Sequence, residues 1–456
     1  MMQRLFFDRV DAEPARPSIR RQDHLILLPG TNKTEPLLSL LQFAIARTEV
    51  ALDAPIIERM PIFRWDDRGR FRHCRKKLSC DHHEVRALYQ VIGIDAGPRS
   101  KSLLHAMLTI DGSYYSGSGT IVRQAVAFSA LTGRAIHMVK ARAKRDKPGL
   151  RLQHIRVIQA IAELVNGQVE GLSQSSQEFT FRPGPLQTGH HYHWDIGSAG
   201  STTMLALGVL PVLAFAESPV SVELQGGLFQ DFAPSAFHLQ HVLLPLLDSM
   251  GCHAELQIER PGYVPRGQGI LHLRVTPVTS SFRPLMREEA GDVTRIWGIA
   301  LSSHLEERRV SERMADAAQG VLGTTGYQAE IQLRHDTQSV QRGAALALFA
   351  DEGTGVRLGT DQAGALRRTA ESIGKHAAKQ LLQEIQSGAT LDRFASDQII
   401  PFAALADGES RCKIPFTTDH VLTSAWMAEL FLEARVKIEG QRMVIHGSGL
   451  RREKQG

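Results

Sequence analysis

The feature that most constrains the fold of this chain is an internal repeat that begins after residue 105. Three segments, starting near residues 120, 201 and 393, each have the pattern of a helix, a strand, a second helix and two strands. One such segment leaves the apolar side of its helices and strands uncovered. We therefore predict that the three segments pack together into one body with a shared core.

The second copy shows the pattern most clearly. Val220, Val222 and Leu224 alternate with polar residues, which is typical of a strand with one buried side. The helix predicted in "SAFHLQHVLLPLLDSMG" carries its leucines on one face and is expected to kink at Pro245.

Residues 281–374 interrupt the repeat between its second and third copies. Strand-like runs flank the charged helix predicted in "EERRVSERMADAAQGVLG". This pattern predicts a small α/β domain inserted into a larger domain that comprises residues 106–280 and 375–450. The predicted class is therefore α+β, an α/β sandwich.

Residues 1–105 do not fit the repeat and form an N-terminal extension whose role the sequence leaves open. The extension contains clustered potential metal ligands, namely His73, Cys74, Cys80, His82 and His83. Their spacing matches none of the common zinc patterns. A basic surface with incidental histidines is therefore favoured over a zinc site.

Charge and composition narrow the range of partners. The formal net charge is +5 and the isoelectric point about 9.1, which favours a polyanionic partner. No apolar run reaches the length of a membrane span, and the N-terminus lacks the apolar core of a signal peptide. The four cysteines are too few for a disulfide scaffold. We expect a cytoplasmic protein with no membrane partner.

Two segments of the first copy have the composition of phosphate-binding loops. "DGSYYSGSGTIVR", residues 111–123, is a glycine-punctuated turn that leads into a helix, although it matches neither the Walker nor the dinucleotide motif. "KARAKRDKPGLRLQH" follows a strand and is dense in lysine and arginine. Guanidinium groups that converge on a loop suit phosphate, whereas an ordinary charge run is a solvated face, and both interpretations remain open.

His420 in "TTDHVLTS" is the candidate nucleophile. Thr417, Thr418 or Asp419 can cap the helix that follows, which puts His420 in its first turn. The helix dipole there favours neutral imidazole, the nucleophilic form. The alternative is a surface histidine beside a helix cap.

Taken together, these segments resemble the RNA 3′-terminal phosphate cyclase family over roughly residues 106–450. The resemblance is carried, in order, by "DGS…GSGTIVR", "ARAKRDKPGLRLQH", "VEG…QEFTFRPGP", "IGSAGSTT", "VELQGG", "APSAF", "ERPGYVPRGQG", "FASDQ" and "DHVLTS". It implies a large domain of three βαβαββ units, similar to the C-terminal domain of a translation initiation factor, with a small α/β domain inserted before the third.

The resemblance also implies an activity. A histidine attacks the α-phosphorus of ATP, the AMP passes to an RNA 3′-phosphate, and the ribose 2′-hydroxyl then displaces AMP to leave a 2′,3′-cyclic phosphate. The implied cofactors are ATP as co-substrate and Mg²⁺ or Mn²⁺, and the implied partner is RNA with a 3′-phosphate end. The metal ligands and the oligomeric state are left unassigned.

Matching motif by motif, the resemblance assigns site residues. His420 falls on the adenylylated histidine. The nucleotide-binding positions fall on Phe394, Ala395, Ser396, Asp397, Gln398 and Pro234. The polar groups around the phosphates, which would also contact RNA, fall on Arg123, Arg142, Arg145 and Gln153.

Two departures from the family pattern leave a second interpretation open. The family typically has a metal-binding glutamate where this chain has Ser116, and a nucleotide-contacting glutamine where it has Leu207. Asp111 and Asp195 are nearby candidates for a replacement acid. The alternative is therefore a catalytically weak or inactive RNA-binding relative in RNA processing or ribosome biogenesis. That branch generally lacks the histidine, so His420 favours an enzyme.

Overall fold

The computed structural model of the chain describes residues 107–451, so the candidate zinc ligands near the N-terminus lie outside the described residues. The described part begins with a βαβαββ unit. Its elements are β1 (Leu108–Asp111), α1 (Gly119–Thr132), β2 (Ile136–Val139), α2 (Leu152–Leu164), β3 (Gln168–Glu170) and β4 (Phe179–Arg182). The sheet order is β1-β2-β4-β3, with β1 parallel to β2 and the other pairs antiparallel.

The second unit repeats this topology. Its elements are β5 (His191–Asp195), α3 (Thr202–Leu213), β6 (Val220–Gly226), the composite helix α4, β7 (His253–Arg260) and β8 (Gly269–Thr276). The sheet order β5-β6-β8-β7 and the single parallel pair match the first unit. The alternation of Val220, Val222 and Leu224 predicted from the sequence is present, since all three are buried in β6.

Helix α4 is irregular near the predicted kink. It consists of an α-helical start (Ala236–His238), a π-helical turn (Leu239–Leu243) and an α-helical end (Leu244–Ser249). Pro245 has no N–H to donate to the preceding turn, and the wider π turn just before it accommodates that gap.

The third unit contains the inserted domain. Its first strand, β9 (Met286–Arg287), precedes the insertion. The inserted elements are β10 (Val293–Ser303), α5 (Val310–Gly323), β11 (Ala329–Asp336), β12 (Gly343–Glu352), β13 (Arg357–Ala363) and α6 (Ala370–Ser387). These strands form a mixed sheet of order β11-β10-β12-β13, and α5 and α6 bury a separate apolar core against it.

The rest of the third unit follows α6. Its elements are α7 (Ala395–Gln398), α8 (Ile400–Leu405), β14 (Glu409–Lys413), α9 (Asp419–Leu432), β15 (Arg435–Glu439) and β16 (Arg442–His446). The order β15-β16-β14-β9 reproduces that of the other units, with β9 parallel to β14. The class is α+β with three βαβαββ repeats, as predicted.

One continuous core joins the three units. Helix α1 packs against α2, α3 and α9, so helices from all three units meet around it. Phe128 on α1 and Phe431 on α9 lie with their ring centroids 5.9 Å apart in this core. Burying a side chain of this size stabilises the fold by about 1.5–3 kcal/mol. Between residues 107 and 451, no helix combines the length and the apolar character needed to cross a membrane.

Candidate functional site

His420 lies in the first turn of α9, as the sequence predicts. The residue that caps the helix is Thr418, whose hydroxyl accepts a hydrogen bond from the Val421 backbone N–H at 3.1 Å. The imidazole is partly buried. The cap therefore fixes the position of His420 at the end of α9 that faces α1.

Two neighbours define the hydrogen bonding of the His420 ring. Nδ1 lies 3.0 Å from Oγ1 of Thr120, and Nε2 lies 3.5 Å from Nη2 of Arg145. A guanidinium can only donate, so Nε2 is the acceptor. The proton of the neutral ring then sits on Nδ1, which donates to the Thr120 hydroxyl. The lone pair of Nε2 points toward the exposed Arg145.

The surroundings of His420 keep its imidazole neutral. Burial, followed by the positive charges of Arg123 and Arg145, lowers the pKa of His420 to about 4, against a smaller opposing effect of Asp419. At neutral pH the ring is therefore uncharged and carries a single proton. Neutral imidazole whose Nε2 carries a lone pair and no proton can act as a nucleophile once Arg145 moves from that lone pair to a phosphate.

Hydroxyl groups hold the glycine-punctuated loop against α9. The Ser116 backbone N–H donates to Oγ1 of Thr423 at 3.2 Å, and the two hydroxyls lie 2.8 Å apart. The Ser118 hydroxyl lies 3.0 Å from that of Ser116 and caps α1. The N-terminal ends of α1 and α9 are thus brought together, with Thr120 in the first turn of α1.

Of the carboxylates proposed to replace the family glutamate, Asp111 has both oxygens hydrogen-bonded and Asp195 has one. One oxygen of Asp111 accepts from the Ser113 N–H at 2.9 Å, and the other from Nζ of Lys140 at 2.7 Å. The hydrogen bond to Lys140 is the main reason why the pKa of Asp111 falls to about 2. Asp195 accepts from the Gly197 N–H at 2.7 Å.

Among residues 107–451, the side chains around His420 do not by themselves form a closed site for a divalent metal. Ser116 offers a hydroxyl where the family pattern has a carboxylate, and that hydroxyl is hydrogen-bonded to two others. Within residues 107–451, no group of three or more histidine, cysteine, aspartate or glutamate side chains is arranged to hold a metal ion. Mg²⁺ prefers carboxylate and phosphate oxygens.

Two of the three predicted phosphate-binding arginines lie close to His420. Arg123 is buried, and burial lowers its pKa to about 10, so it remains charged. Arg145 is exposed and reaches the His420 ring. Arg142 instead donates to the carbonyl oxygens of Lys147 and Gly149 at 3.0 and 2.5 Å. Arg142 thus orders the basic loop, while Arg123 and Arg145 supply positive charge beside the imidazole.

Gln153 and His154, at the start of α2, contact the starts of α3 and α1, respectively. Oε1 of Gln153 accepts from the Ser201 N–H at 3.0 Å, which ties α2 to the start of α3. His154 is buried against Gly119, where any Cβ would collide with its Nε2. Burial, followed by the charges of Arg142 and Arg123, holds the pKa of His154 well below its usual range. The sequence analysis gave no role to His154.

A buried ion pair organises the segments expected to hold the nucleotide. Asp392 accepts from the Phe394 and Ala395 N–H groups at 2.9 and 2.8 Å, which fixes the start of α7. Its other oxygen accepts from Nε2 of His238 and from the Gly359 N–H, both at 2.9 Å. Both side chains are fully buried. The pair therefore links α4, the inserted sheet and α7.

The same pair holds the segment that contains Pro234 close to the segment that contains Phe394. The rings of His238 and Phe394 meet edge to face with centroids 5.4 Å apart. The carbonyl of Pro234, four residues before His238, accepts from the Thr203 hydroxyl at 2.7 Å. Pro234 is buried, whereas Phe394 is partly exposed. Two segments predicted to bind ATP are thus held by one buried pair that the sequence analysis missed.

Asp397 and Gln398 lie on the inner side of α7. Burial raises the pKa of Asp397 to about 7, against the opposing charge of Arg123. Nε2 of Gln398 donates to Oδ2 of Asp397 at 2.6 Å. Ala395 and Ser396 are also buried, and the Ser396 hydroxyl donates to the Asp392 carbonyl at 2.7 Å.

Leu207, the second departure from the family pattern, also lies beside these groups. It lines a small cavity of about 10 Å³ together with Arg123, Gln124 and Gln398. Such a cavity holds about one water molecule. A glutamine at position 207 would add hydrogen-bonding groups to this cavity, and the leucine makes that wall apolar.

Three βαβαββ units form one body, in which Arg123 of α1 and Arg145 of the basic loop lie beside a neutral histidine at the start of α9, and this fold and site define the class of protein. A family model for RNA 3′-terminal phosphate cyclases matches residues 114–438. The chain belongs to this family.

Curated relatives match over nearly their whole length. An RNA 3′-terminal phosphate cyclase of Methanopyrus kandleri is 36% identical over 341 residues, which cover 74% of this chain and 96% of the relative. That of Hyperthermus butylicus is 40% identical over 310 residues, covering 67% and 86%. That of Pyrococcus furiosus is 35% identical over 334 residues, covering 73% and 96%.

Proposed function

We propose that the protein converts RNA 3′-terminal phosphates to 2′,3′-cyclic phosphates at the expense of ATP, through a covalent adenylate on His420. The observation that carries the proposal is the state of the imidazole. Its Nδ1 is engaged by Thr120, its unprotonated Nε2 faces the exposed guanidinium of Arg145, which a phosphate would have to displace, and its pKa is lowered to about 4.

In the first step, Nε2 of His420 attacks the α-phosphorus of ATP, a P–N bond forms and pyrophosphate leaves. Arg123 and Arg145 lie where they would stabilise negative charge on the reacting phosphates. The Thr120 hydroxyl accepts from Nδ1 throughout and stabilises the positive charge that the ring gains. The segments expected to bind ATP are Pro234 and Phe394–Gln398, with Phe394 offering its partly exposed ring to the base.

In the second step, an oxygen of the RNA 3′-phosphate attacks the phosphorus of the histidine adenylate, and His420 leaves as neutral imidazole. In the third step, the ribose 2′-hydroxyl attacks the 3′-phosphorus and gives its proton to solvent, and the phosphoanhydride bond breaks so that AMP leaves. The exposed guanidinium of Arg145 is the group we assign to the RNA phosphate.

No step is assigned to a protein-bound metal, since no three histidine, cysteine, aspartate or glutamate side chains among residues 107–451 are grouped to hold one by themselves. We expect Mg²⁺ or Mn²⁺ to arrive with ATP, held by its phosphate oxygens.

The second candidate function is RNA binding without catalysis. It is favoured by Ser116, where the family pattern has a carboxylate, and by the engagement of both Asp111 oxygens.

Incubation of the protein with ATP and a 3′-phosphorylated oligonucleotide separates the two functions. A cyclase makes the 3′-phosphate resistant to phosphatase only when ATP is present, and leaves an oligonucleotide with a 3′-hydroxyl unchanged. RNA that binds tightly but remains sensitive to phosphatase at every metal concentration would establish the non-catalytic function instead.

A further inference from the structure

A group of aromatic side chains joins the loop before α1 to α9, the helix that carries His420. Tyr114 and Tyr115 are 57% and 41% exposed. Their ring centroids lie 5.4 and 5.9 Å from that of Trp426 on α9, which is itself only partly buried. We call Tyr114, Tyr115 and Trp426 the aromatic platform. Large aromatic rings left in water next to a site are typical of ligand contact rather than of folding.

The backbone of the platform is held in a costly conformation. Tyr115 has a φ of 42°, in the left-handed region that glycine adopts readily and a tyrosine rarely does. The loop keeps this shape because the Gly117 N–H donates to the Tyr114 carbonyl at 2.8 Å and Nζ of Lys144 donates to the Tyr115 carbonyl at 2.7 Å. The loop thus presents two adjacent rings outward at a conformational cost.

The platform is connected to the reacting group by rigid elements. Ser116, the residue after Tyr115, is hydrogen-bonded to Thr423 on the first turns of α9. Trp426 lies six residues after His420 on the same helix, a rise of about 9 Å along its axis. A chain whose terminal phosphate reached His420 could therefore lay its next nucleotides on the platform.

One cation lies at the platform loop and another at the His420 ring. Lys144 contacts the tyrosine loop directly, and Arg145 reaches the His420 ring. Exposed aromatic faces next to cations form the pattern that binds single-stranded nucleic acid, because bases stack on the rings while the cations contact the backbone. The segments expected to hold ATP belong to α7 and the start of α4, so the adenine of ATP has a separate expected site.

We propose that the aromatic platform stacks the bases of single-stranded RNA immediately before its 3′-phosphate. This inference rests on the proposed function, since it takes the terminal phosphate to lie at His420. It adds a substrate-binding site in which base stacking, rather than hydrogen bonding to base edges, provides the affinity, so the enzyme should accept any base there.

The test measures the affinity of the full-length protein for a fluorescent single-stranded oligonucleotide with a 3′-phosphate, without ATP. Tyr114→Ala/Tyr115→Gly removes both rings and suits the backbone of residue 115. Tyr114→Phe/Tyr115→Phe is the matched control that keeps both rings. We expect the first variant to bind at least about 10-fold more weakly, as loss of one stacked base predicts, and the control to bind within about 2-fold of wild type. Equal affinity of all three proteins for the oligonucleotide overturns the proposal. Binding of a protein partner to the platform in place of RNA would also overturn it.

A second measurement changes the RNA instead of the protein. An oligonucleotide with abasic residues in place of the two nucleotides next to the 3′ end should bind wild type at least about 10-fold more weakly. It should bind the Tyr114→Ala/Tyr115→Gly variant no more weakly than intact RNA does. Equal losses in both proteins would overturn the proposal. Neither measurement uses ATP. If His420 is not adenylylated, the proposed function fails, but the two affinity measurements still test whether the platform stacks RNA bases.

Discussion

At the residue scale, the chemistry of His420 depends on two contacts made by other units of the repeat. Thr120 and Arg145 come from the first unit, and His420 from the third. The donor-only guanidinium keeps Nε2 unprotonated, and the Thr120 hydroxyl accepts from the proton that therefore sits on Nδ1. Neither contact can be predicted from the residues next to His420 in the sequence.

Replacing Thr120 with valine should slow adenylylation of His420. The substitution keeps the shape of the side chain and removes the acceptor for Nδ1–H. The loss of one hydrogen bond, worth about 0.5–1.5 kcal/mol, corresponds to roughly a 2- to 10-fold lower rate. Thr120→Ser keeps the hydroxyl and is the control, which should stay close to wild type. Single-turnover labelling with ATP measures both, and equal rates in the valine and serine variants would contradict the role of Thr120.

In an Asp397→Asn variant, which lacks the carboxyl with a pKa of about 7, the rate of adenylylation should be insensitive to pH over most of the physiological range. The pKa of His420 is lowered to about 4, so the ring stays neutral from pH 8 down to about 5. Only below this range does protonation remove the nucleophile, and the rate should halve near pH 4. A rate that already halves near pH 6.5, the ordinary value for histidine, would mean that the imidazole is not held neutral in this way.

Ser116→Glu tests whether the missing carboxylate limits the reaction. If its loss impairs metal use, the new carboxylate should raise the rate of adenylylation and lower the Mg²⁺ or Mn²⁺ concentration required. Ser116→Gln has similar size without the charge and should not do so. A slower Glu variant with an unchanged metal requirement would instead show that added negative charge repels the triphosphate. That result would count against the hypothesis that the missing carboxylate impairs metal use.

The residues that sequence reasoning found and missed differ in one physical respect. His420 was predicted correctly in the first turn of its helix, because a cap and an apolar stripe are local signals. Thr120, His154 and His238 act through partners far away in the chain, and their types alone do not indicate a role. Only the positions that match the family pattern could be assigned in advance, and their roles stay predictions.

At the scale of elements, the short helix α7 depends on the buried pair of Asp392 and His238. Asp392→Ala should therefore destabilise the protein by about 3–5 kcal/mol, because it leaves His238 and three backbone N–H groups without their partner. Affinity for ATP should fall with it. Glu439→Ala removes one partner of an exposed ion pair and is the control, with unchanged thermal unfolding expected. Equal unfolding curves for both variants would contradict the role of Asp392.

The effect of Asp392→Ala should also depend on pH. Burial works to lower the pKa of His238, but the charge of Asp392 outweighs it and raises that pKa above 6.5. Burial works to raise the pKa of Asp392, but His238 outweighs it and lowers that pKa below 3.8. The pair therefore stabilises the fold fully between about pH 4 and 6.5, and part of this is lost as His238 loses its proton at higher pH. The difference between variant and wild type should shrink above pH 6.5.

The two arginines of the basic loop should behave differently. Arg145→Ala removes an exposed cation from the expected RNA phosphate, so the plot of log affinity against log salt should become shallower by about 0.7. Arg142→Ala removes the two hydrogen bonds that order the loop. It should weaken RNA binding with a smaller change in slope. An unchanged slope in Arg145→Ala would count against its contact with phosphate.

Some elements had no clear sequence signal. The opening strands β1, β5 and β9 are two to five residues long, too short for alternation to mark them, and only the family resemblance implied them. The run from Phe394 to Leu405 reads as one helix, but the structure divides it into α7 and α8. Asp392 fixes the start of α7, a long-range arrangement that periodicity does not reveal.

At the scale of the whole molecule, residues 107–451 have the architecture that the sequence repeat predicts, three units that pack into one body. Each unit has the same sheet order with one parallel pair, and helices of all three units share one core around α1. This was predictable because a single unit cannot cover its apolar side. How the three units meet was not, since it depends on side chains such as Phe128 and Phe431 that are far apart in the sequence. The candidate site lies where the units join.

The most direct test of the account is the transfer of label from α-labelled ATP to the protein, followed by mass spectrometry of its peptides. Wild type should carry one AMP on the peptide that contains His420, and the linkage should be cleaved by acid, as expected of a P–N bond. His420→Ala should carry none, while His446→Ala, which alters an exposed histidine of β16, should label as wild type does. Undiminished label in His420→Ala, or label on another residue, would contradict the assignment of His420 as the nucleophile.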